Sequence, residues 1–344
     1  MRGAIIGFGK IAMGHLVGYS RVDALSIGAV VDVSAGRRQA AQDQFGLAAY
    51  ADLAELLANE RIDFIDVCTP PSTHAELSRQ GLNAGMHVLC EKPVFLPEED
   101  GYESQLRLID ASDRVFYPCH VYKFAPVLAS VRELIADEAF GKVLSADFRT
   151  LRHGHAVGVP EWQPDWRRTP AISRGGILRD HGPHSIYIAM HLTGSTPLEV
   201  SCVLGRLRDE YQGTEDTALV RMRCTGGVEV TFTLSWAAGH RSTGYTVTGA
   251  SGAVIVDGDK LVHASGGEVV HRTIESGFDD PSHQEWFGRM LLDFADMVDH
   301  PSRQVALARE ALITSLVIDG AYRSAEYDGR WVDVSLPESF TAVA

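Results

Sequence analysis

Residues 7–12 read Gly-Phe-Gly-Lys-Ile-Ala, directly after the short apolar run 3–6 and directly before a helical stretch that continues to about Tyr19. The spacing is G-x-G-x-x-A, an accepted variant of the dinucleotide fingerprint between a first strand and a first helix. Its first glycine allows a tight turn, its second lets the backbone approach a diphosphate, and its alanine permits close helix–strand packing. The N–H groups at the positive helix end would bind the diphosphate. We therefore expect a dinucleotide to bind at Gly7, Phe8, Gly9, Lys10, Ile11 and Ala12.

The sequence after this motif alternates apolar runs with helical stretches. The apolar runs predict further buried strands at 26–31, 62–68 and 87–90. The helical stretches lie at 37–45, 52–59 and 73–84, with an Asp cap before the second and Gly85 after the third. This alternation is typical of βαβ units around a parallel sheet with right-handed crossovers. The sequence therefore predicts an α/β protein whose N-terminal domain, residues 1–120, is a Rossmann domain.

The pattern changes near residue 120. A helix at 126–137 and a strand at 143–151 precede an irregular stretch at 153–175, whose length is typical of a functional loop. About six or seven short strands follow between 198 and 272, and two of them are joined by Thr225-Gly226-Gly227, which favours antiparallel pairing. The end of the chain predicts helices at 285–299 and 306–327 and a strand at 331–334. Residues 121–344 are therefore expected to form an α+β domain with an open, mostly antiparallel sheet.

The amino-acid composition limits the cellular location of the protein and the kinds of molecule that it can bind. The 344 residues, 45% hydrophobic and 22% charged, have the balance of a soluble protein with two domains. A net charge of -14 would repel nucleic acid and acidic membranes. The sequence has no apolar run of about 20 residues, and we expect no signal peptide because the N-terminus leads directly into a predicted strand. The five cysteines are scattered and lack a CxxC pair, which favours buried free thiols. We expect a cytoplasmic protein that acts on a small molecule.

Asp32 at the end of the second predicted strand bears on the type of dinucleotide. A carboxylate there accepts hydrogen bonds from both adenosine ribose hydroxyls and repels a 2′-phosphate. Arg37 and Arg38 lie just beyond it and can either reach a phosphate or face solvent on the next helix. The balance favours NAD over NADP.

Two further motifs carry titratable side chains. Glu91-Lys92-Pro93 follows the fourth predicted strand, at the edge where doubly wound sheets bind ligands. A lysine before proline is held extended, and the peptide bond between them can be cis. Residues 175–184 read GGILRDHGPH, so Asp180 and His184 share a face if this stretch is helical. If a helix instead starts at Pro183, its positive end favours a neutral, basic His184. Alone, these motifs also fit a surface turn and a helix-capping pair.

Together with Thr69-Pro70-Pro71-Ser72-Thr73-His74, these motifs make nearly the whole chain resemble the Gfo/Idh/MocA oxidoreductases, which include glucose–fructose oxidoreductase and inositol dehydrogenase. The most specific part is Glu-Lys-Pro followed by Gly-Gly…Asp-x-x-x-His. The resemblance implies an NAD(P)-dependent dehydrogenase or reductase that acts on the CH–OH group of a sugar, aminosugar or cyclitol. It also implies that the C-terminal sheet forms homodimers or homotetramers; its residues Val230, Phe232 and Leu234 are expected to be partly exposed in a monomer.

The resemblance implies a role for individual residues as well. Lys92 would assist proton transfer at the reacting hydroxyl, His184 would be the general acid/base, and Asp180 would orient His184 or bind substrate. Besides residues 7–12 and Asp32, the cofactor would contact Thr69, Pro70, His74, Glu91, Lys92, Trp166 and Arg167. The substrate would contact Lys92, Tyr122, His153, His155, Trp166, Asp180, His181 and His184.

The chain also departs from the family pattern. Residues 120–123 read His-Val-Tyr-Lys where many relatives have an Asn-Arg-Arg-like stretch, and His181 replaces an apolar or hydroxyl residue. With His153 and His155, these changes indicate a polar, histidine-lined pocket. The histidine pairs have spacings that can suggest zinc, but the family pattern needs no metal and we expect none. The indoles of Trp162, Trp166 and Trp236 can stack on a sugar or pack in a core.

Two other functions are compatible with the same motifs. Some relatives are NAD-dependent glycosidases, which oxidise a sugar carbon transiently, eliminate the aglycone and return the hydride. A sensor that binds NAD or a sugar without chemistry, like a fungal galactose-regulon repressor of this fold, would not need Lys92, Asp180 and His184, all of which are present.

Overall fold

The computed structural model describes residues 1–96, 102–275 and 283–335. Its contacts divide the chain into two units. The first comprises Met1–Val121, Val157–Arg174 and Ser282–Leu312, and the second comprises Tyr122–Ala156, Gly175–Pro281 and Ile313–Ala344. The segments Val157–Arg174 and Ser282–Leu312 belong to the first unit, but no change in amino-acid composition at their boundaries predicts this. The functional division into 1–120 and 121–344 stays a prediction.

The first unit contains a parallel sheet of six strands in the order β3-β2-β1-β4-β5-β6. This order is that of a Rossmann fold, so the predicted parallel sheet is confirmed. The four longer strands were predicted; the three-residue β3 and β6 are too short for a hydrophobic pattern to reveal. The strands are β1 Arg2–Ile6, β2 Ser26–Val31, β3 Ala48–Tyr50, β4 Phe64–Val67, β5 His87–Cys90 and β6 Phe116–Pro118.

Seven helices described in the first unit connect or flank these strands. Asp52 caps α3 as predicted, since its carboxylate accepts the Glu55 backbone N–H at 2.8 Å. The helices are α1 Lys10–Tyr19, α2 Ala35–Phe45, α3 Leu53–Asn59, α4 His74–Asn83, α5 Glu103–Ala111, α7 Pro170–Ser173 and α9 Gln284–Asp299. Helix α1, which follows the glycine motif, packs against α9.

The second unit contains a sheet of nine strands in the order β14-β13-β12-β11-β7-β10-β9-β8-β15. All pairs are antiparallel except β7 with β10, which confirms a mostly antiparallel sheet. The strands are β7 Val143–Leu151, β8 Pro197–Gly205, β9 Thr217–Cys224, β10 Glu229–Ser235, β11 Ser242–Gly249, β12 Gly252–Asp257, β13 Lys260–Ser265, β14 Glu268–Thr273 and β15 Val332–Asp333.

One face of this sheet packs against helices of its own unit, α6 (Pro126–Ile135) and α8 (Ile177–Thr193). Val230, Phe232 and Leu234 all lie on the buried face, with at most 2% of their surface exposed. The expectation that some of them are exposed was wrong, because residues two apart on a strand point to the same face.

The last long helix, α10 (Gln304–Glu326), begins in the first unit and ends in the second. Among the residues that the structure describes, neither α10 nor any other helix is long and apolar enough to span a membrane. The five cysteines are free and buried, as predicted. The cytoplasmic location stays a prediction.

Helix α8 begins where a buried carboxylate meets its N-terminus. Glu215 accepts the backbone N–H groups of Gly176 and Leu178, each at 3.0 Å, and the Tyr322 hydroxyl at 2.8 Å. The helix therefore starts at residue 177 and Pro183 lies inside it. The alternative that Pro183 opens the helix is wrong, and Asp180 and His184 lie one turn apart on one helix, as the other alternative predicted.

Gly176 is required for this capping contact. A Cβ atom at this position would lie 1.9 Å from the Glu215 carbonyl oxygen, closer than atoms can approach. We expect Gly176→Ala to lower the free energy of unfolding by about 1–3 kcal/mol, the usual cost of overpacking. Gly239→Ala is the matched control, because a Cβ there meets no atom within 4 Å. Urea unfolding of both variants would measure the difference, and equal midpoints would contradict the prediction.

Candidate active site

The predicted dinucleotide loop has the geometry that its sequence requires. Gly7 adopts a φ of +92°, and a Cβ atom there would lie 2.9 Å from the Thr69 backbone nitrogen. A Cβ atom on Gly9 would meet no atom within 4 Å, so the chain leaves room for a ligand to approach the backbone there. Ala12 is fully buried, whereas Lys10 and Ile11 are exposed. These features fit the diphosphate of a dinucleotide at the start of α1.

Asp32 is joined to this loop by hydrogen bonds. Its Oδ2 accepts the Phe8 N–H at 2.7 Å and its Oδ1 accepts the Ser34 N–H at 2.8 Å. The two arginines beyond it do not simply face solvent, because Arg37 Nε donates to the Phe8 carbonyl at 2.7 Å and Arg38 donates to the Asp32 carbonyl at 2.7 Å. The carboxylate is therefore fixed at the end of β2, where it can accept ribose hydroxyls and disfavours a 2′-phosphate.

Residues 157–174 of the predicted functional loop lie along the same edge of the first unit. Ser34 Oγ donates to the Glu161 carbonyl at 3.3 Å, and the Glu161 carboxylate lies 3.7 Å from the Arg37 guanidinium. Further along, α7 packs beside residues 71–73. The Arg167 guanidinium lies over the Trp166 ring, 4.2 Å from its centroid. The segment thus extends from the end of β2 to the turn after β4, and it carries both predicted cofactor residues.

The turn after β4 is held by a buried histidine. His74 Nδ1 lies 2.9 Å from the Pro93 carbonyl oxygen and Nε2 lies 2.8 Å from the Thr69 carbonyl oxygen. Burial lowers the pKa of His74, although these two carbonyls oppose the shift. Both ring nitrogens face the protein backbone, so His74 links residues 69–74 to the Glu-Lys-Pro turn. A direct contact between His74 and the cofactor stays a prediction, as do those of Thr69 and Pro70.

The Glu91-Lys92-Pro93 turn follows β5, and its Lys92–Pro93 peptide bond is cis. Glu91 is only 5% exposed. Its Oε2 accepts the Lys92 backbone N–H at 3.2 Å, and its Oε1 lies 3.1 Å from His15 Nε2. The other nitrogen of that imidazole, Nδ1, lies 2.6 Å from Asp66 Oδ2. The turn that carries Lys92 is therefore connected through His15 to a buried carboxylate of β4.

The His15 imidazole is charged in this position. Burial by itself would lower the pKa of His15, but the charge and hydrogen bond of Asp66, followed by those of Glu91, raise it to about 10. An imidazolium has two N–H donors and can serve both carboxylates at once.

The raised pKa predicts how stability changes with pH. Since the folded value lies above the unfolded value of about 6.5, the stabilisation is complete below about pH 6.5 and is lost as the pH rises through about 10. We expect His15→Gln to lower Tm most at pH 6 and progressively less at pH 8 and 9.5, in thermal unfolding followed by circular dichroism. His271→Gln, at an exposed position on β14, is the control and should show no such trend. A Tm difference for His15→Gln that is independent of pH would contradict a buried imidazolium.

The second unit carries the predicted acid/base pair on α8. The His184 Nδ1 and the Tyr187 hydroxyl share a hydrogen bond of 2.7 Å, and that hydroxyl accepts the Tyr122 backbone N–H at 3.2 Å. The Tyr122 ring lies against the imidazole, with centroids 4.1 Å apart. Asp180 Oδ2 lies 3.2 Å from His181 Nδ1. Tyr187 thus holds the His184 ring through its Nδ1 atom.

Two other predicted substrate residues, His155 and His181, lie beside Trp236 and Tyr211 in an aromatic group of the same unit. Tyr211 is stacked on the fully buried Trp236, with ring centroids 5.6 Å apart, and the rings of His155 and His181 lie 5.9 and 6.2 Å from Trp236. His155 Nδ1 lies 3.0 Å from the Tyr211 hydroxyl. His153 is exposed, and its backbone carbonyl accepts a hydrogen bond from Arg208 Nη1.

The sequence did not predict several residues that contact the site. Tyr187 is three residues after His184, a helical spacing that the sequence does show. His15 and Glu215 gave no such signal, because their partners come from distant parts of the chain. His120, in the stretch that departs from the family pattern, lies 2.8 Å from the Glu310 carboxylate of the first unit.

The comparison with protein families identifies the chain. The profile of the oxidoreductase family with an NAD-binding Rossmann fold, GFO/IDH/MocA, matches residues 1–117, and the profile of the GFO/IDH/MocA C-terminal domain matches residues 128–255. The chain belongs to the Gfo/Idh/MocA oxidoreductases. Residues 1–117 are accordingly the NAD-binding Rossmann fold of that family, as the glycine loop and Asp32 predicted.

Characterised relatives of this Gfo/Idh/MocA chain are sugar and cyclitol enzymes. The inositol 2-dehydrogenase of Rhizobium meliloti (strain 1021) is 24% identical over 336 residues, which cover 94% of this chain and 96% of that protein. The 1,5-anhydro-D-fructose reductase of Ensifer adhaerens is 26% identical over 255 residues, 74% of this chain and 75% of that protein. A structure of levoglucosan dehydrogenase with NADH and L-sorbose superimposes with a TM-score of 0.83 at 20% identity, over 98% of this chain and 99% of the other, and shares its fold.

Proposed function

We propose that the protein transfers a hydride between NAD and a carbon of a sugar, aminosugar or cyclitol, interconverting a hydroxyl and a ketone. The family membership and the activities that the relatives' names state support this substrate class. The observation that carries the proposal is the setting of His184, whose Nδ1 is engaged by Tyr187 on a helix with a buried cap. A binding module has no need of an acid/base oriented through one nitrogen.

We propose the following division of labour in the reaction. NAD, when bound, supplies the site of hydride acceptance or donation. The Lys92 ammonium stabilises the negative charge that develops on the substrate oxygen. His184 exchanges the hydroxyl proton at Nε2 and becomes a cation next to the Tyr187 oxygen. Asp180 orients the histidines of α8 or binds a substrate hydroxyl.

The aromatic group of the second unit supports a substrate with several hydroxyls. The buried Trp236 Nε1 has no hydrogen-bond partner among the described residues, and a buried N–H without a partner is costly. Because the indole is fully buried, a substrate hydroxyl would reach this N–H only if neighbouring side chains moved. The neighbouring His155 and His181 add further polar atoms to this part of the unit. We therefore assign substrate binding to residues 121–344 and NAD binding to residues 1–120, with Trp166 and Arg167 added to the cofactor side.

The test of the proposal is NADH fluorescence of purified protein given NAD⁺ and a panel of inositols, pyranoses and aminosugars, with NADP⁺ run alongside. Accumulation of NADH with one class of polyol is the expected result. Product formation without NADH would favour the glycosidase, in which the hydride returns to the sugar. Binding of NAD⁺ without turnover of any polyol or ketone would favour the sensor.

The proposed proton-transfer residues can be tested one at a time. We expect Lys92→Met and His184→Asn each to lower kcat by about 10²-fold or more, since general acid/base groups contribute on this order. Asparagine keeps a polar atom near the position of Nδ1 but has none at Nε2. The dissociation constant of NAD⁺, measured by fluorescence quenching, should stay close to that of the unmodified protein. Lys260→Met and His300→Asn, at exposed positions, are the matched controls. Unchanged kcat in Lys92→Met or His184→Asn would remove that residue from the mechanism.

We also propose that the protein is a homo-oligomer formed through the outer face of the second unit's sheet. This face carries Val203, Leu219 and Ile255, which are 56%, 50% and 45% exposed. Val203 and Leu219 are directly paired neighbours on β8 and β9, so they form one apolar patch. Light scattering at micromolar concentration should give a mass of two or four chains, and Leu219→Lys should lower it. A monomer mass would contradict the proposal.

A further inference from the structure

His15 lies in a buried cluster of charged groups that the proposed mechanism does not use. The imidazole is fully buried, and so is Asp66 on β4. The two ring nitrogens, which point in different directions, lie 2.6 Å from Asp66 Oδ2 and 3.1 Å from Glu91 Oε1. This geometry fits one imidazolium that donates two hydrogen bonds better than a metal ion, which would need several of these groups to point at one position.

The two ring nitrogens of His15 have different surroundings. On the Asp66 side, Tyr19 donates to Oδ2 at 2.8 Å and the Cys68 thiol lies 3.5 Å from Oδ1. The Phe287 ring covers the imidazole, with centroids 4.7 Å apart, and the Cys119 sulfur completes the surroundings. Asp66 therefore keeps partners without His15.

The Glu91 side depends on His15 more strongly. Glu91 is almost completely buried, and a buried carboxylate without a cation is destabilised. Its second oxygen accepts the backbone N–H of Lys92. Without the imidazolium, the Glu91 carboxylate would lose the partner of its Oε1 atom and turn toward another donor, which would alter its bond to the Lys92 backbone.

We propose that His15 is a positioning residue for Lys92, acting through the Glu91 carboxylate that connects the two. The inference rests on the proposed function of Lys92. Helix α1 would then have two roles. It begins at the dinucleotide loop, and through His15, one helical turn further on, it holds the Glu91-Lys92-Pro93 segment that carries the catalytic ammonium. The loop and the turn are thereby held in one arrangement within the first unit.

A pair of substitutions separates the two contacts of His15. An asparagine places its amide near the position of Nδ1 and keeps a donor for Asp66, whereas a glutamine places its amide near Nε2 and keeps a donor for Glu91. We expect His15→Asn to lower kcat by about 10- to 100-fold, the effect of a small misplacement of a catalytic group. His15→Gln should retain clearly more of kcat. Tyr19→Phe, which removes a hydrogen bond of the same cluster on the Asp66 side, should leave kcat unchanged.

A double-mutant cycle tests whether the effect passes through Glu91. In a Glu91→Gln background, His15→Asn should cause little further loss of kcat, because the connecting carboxylate is already gone. Equal kcat in His15→Asn and unmodified protein, or equal losses in His15→Asn and His15→Gln, would overturn the proposal. If neither His15 variant folds, Glu91→Gln and Tyr19→Phe test the connecting carboxylate: unchanged kcat in Glu91→Gln, or an equal loss in Tyr19→Phe, would overturn the proposal.

A measurement without substrate separates this inference from the proposed function. In ¹⁵N-histidine-labelled protein, the His15 signals should be those of an imidazolium at pH 8.5, and His15→Asn identifies them by their loss. An imidazolium in a protein that turns over no polyol would contradict the proposed function alone. A neutral imidazole at pH 8.5, in protein that does turn over, would contradict the positioning role.

Discussion

The structure of the first unit depends on the burial of two carboxylates beside one imidazole. Removing a carboxylate from water costs several kcal/mol, and Asp66 has no exposed surface while Glu91 has little. The His15 imidazole, on the helix that follows the glycine loop, contacts both carboxylates and offsets part of this cost. Helix α1, strand β4 and strand β5 are thereby joined by charge as well as by packing, at the edge of the sheet where ligands bind.

The second unit also contains a buried carboxylate, which lies at the N-terminus of helix α8. The first N–H groups of α8 have no partners within the helix, and Glu215 accepts two of them. Burial raises the pKa of Glu215, while its hydrogen bonds to Tyr322, Leu178 and Gly176 oppose the rise. The same helix presents His184, and Tyr187 fixes the ring of His184 from the next turn. A buried cap thus determines the position of the residue that we propose as the acid/base group.

The sequence allowed the fold and the cofactor to be predicted because both depend on local patterns. Strands of four or more apolar residues and the spacing of Gly7, Gly9 and Asp32 can be recognised without knowing what they contact. The start of α8 could not be placed the same way, because Glu215 lies 38 residues after the helix's first residue, Ile177, and decides it. Proline at 183 is a weaker signal than a buried cap, so the alternative built on it failed.

The same reasoning explains why the sequence predicts the cofactor but not the substrate. A dinucleotide is bound largely by backbone groups and by one carboxylate, so a short motif specifies its site. The proposed substrate side chains instead have partners that are distant in sequence, as the contacts among Trp236, Tyr211 and His155 illustrate. Each of these residues alone is compatible with core packing, and the polar character of the group becomes visible only when they are brought together. The sequence therefore predicts the class of reaction more sharply than the identity of the substrate, which we propose depends on the side chains around Trp236.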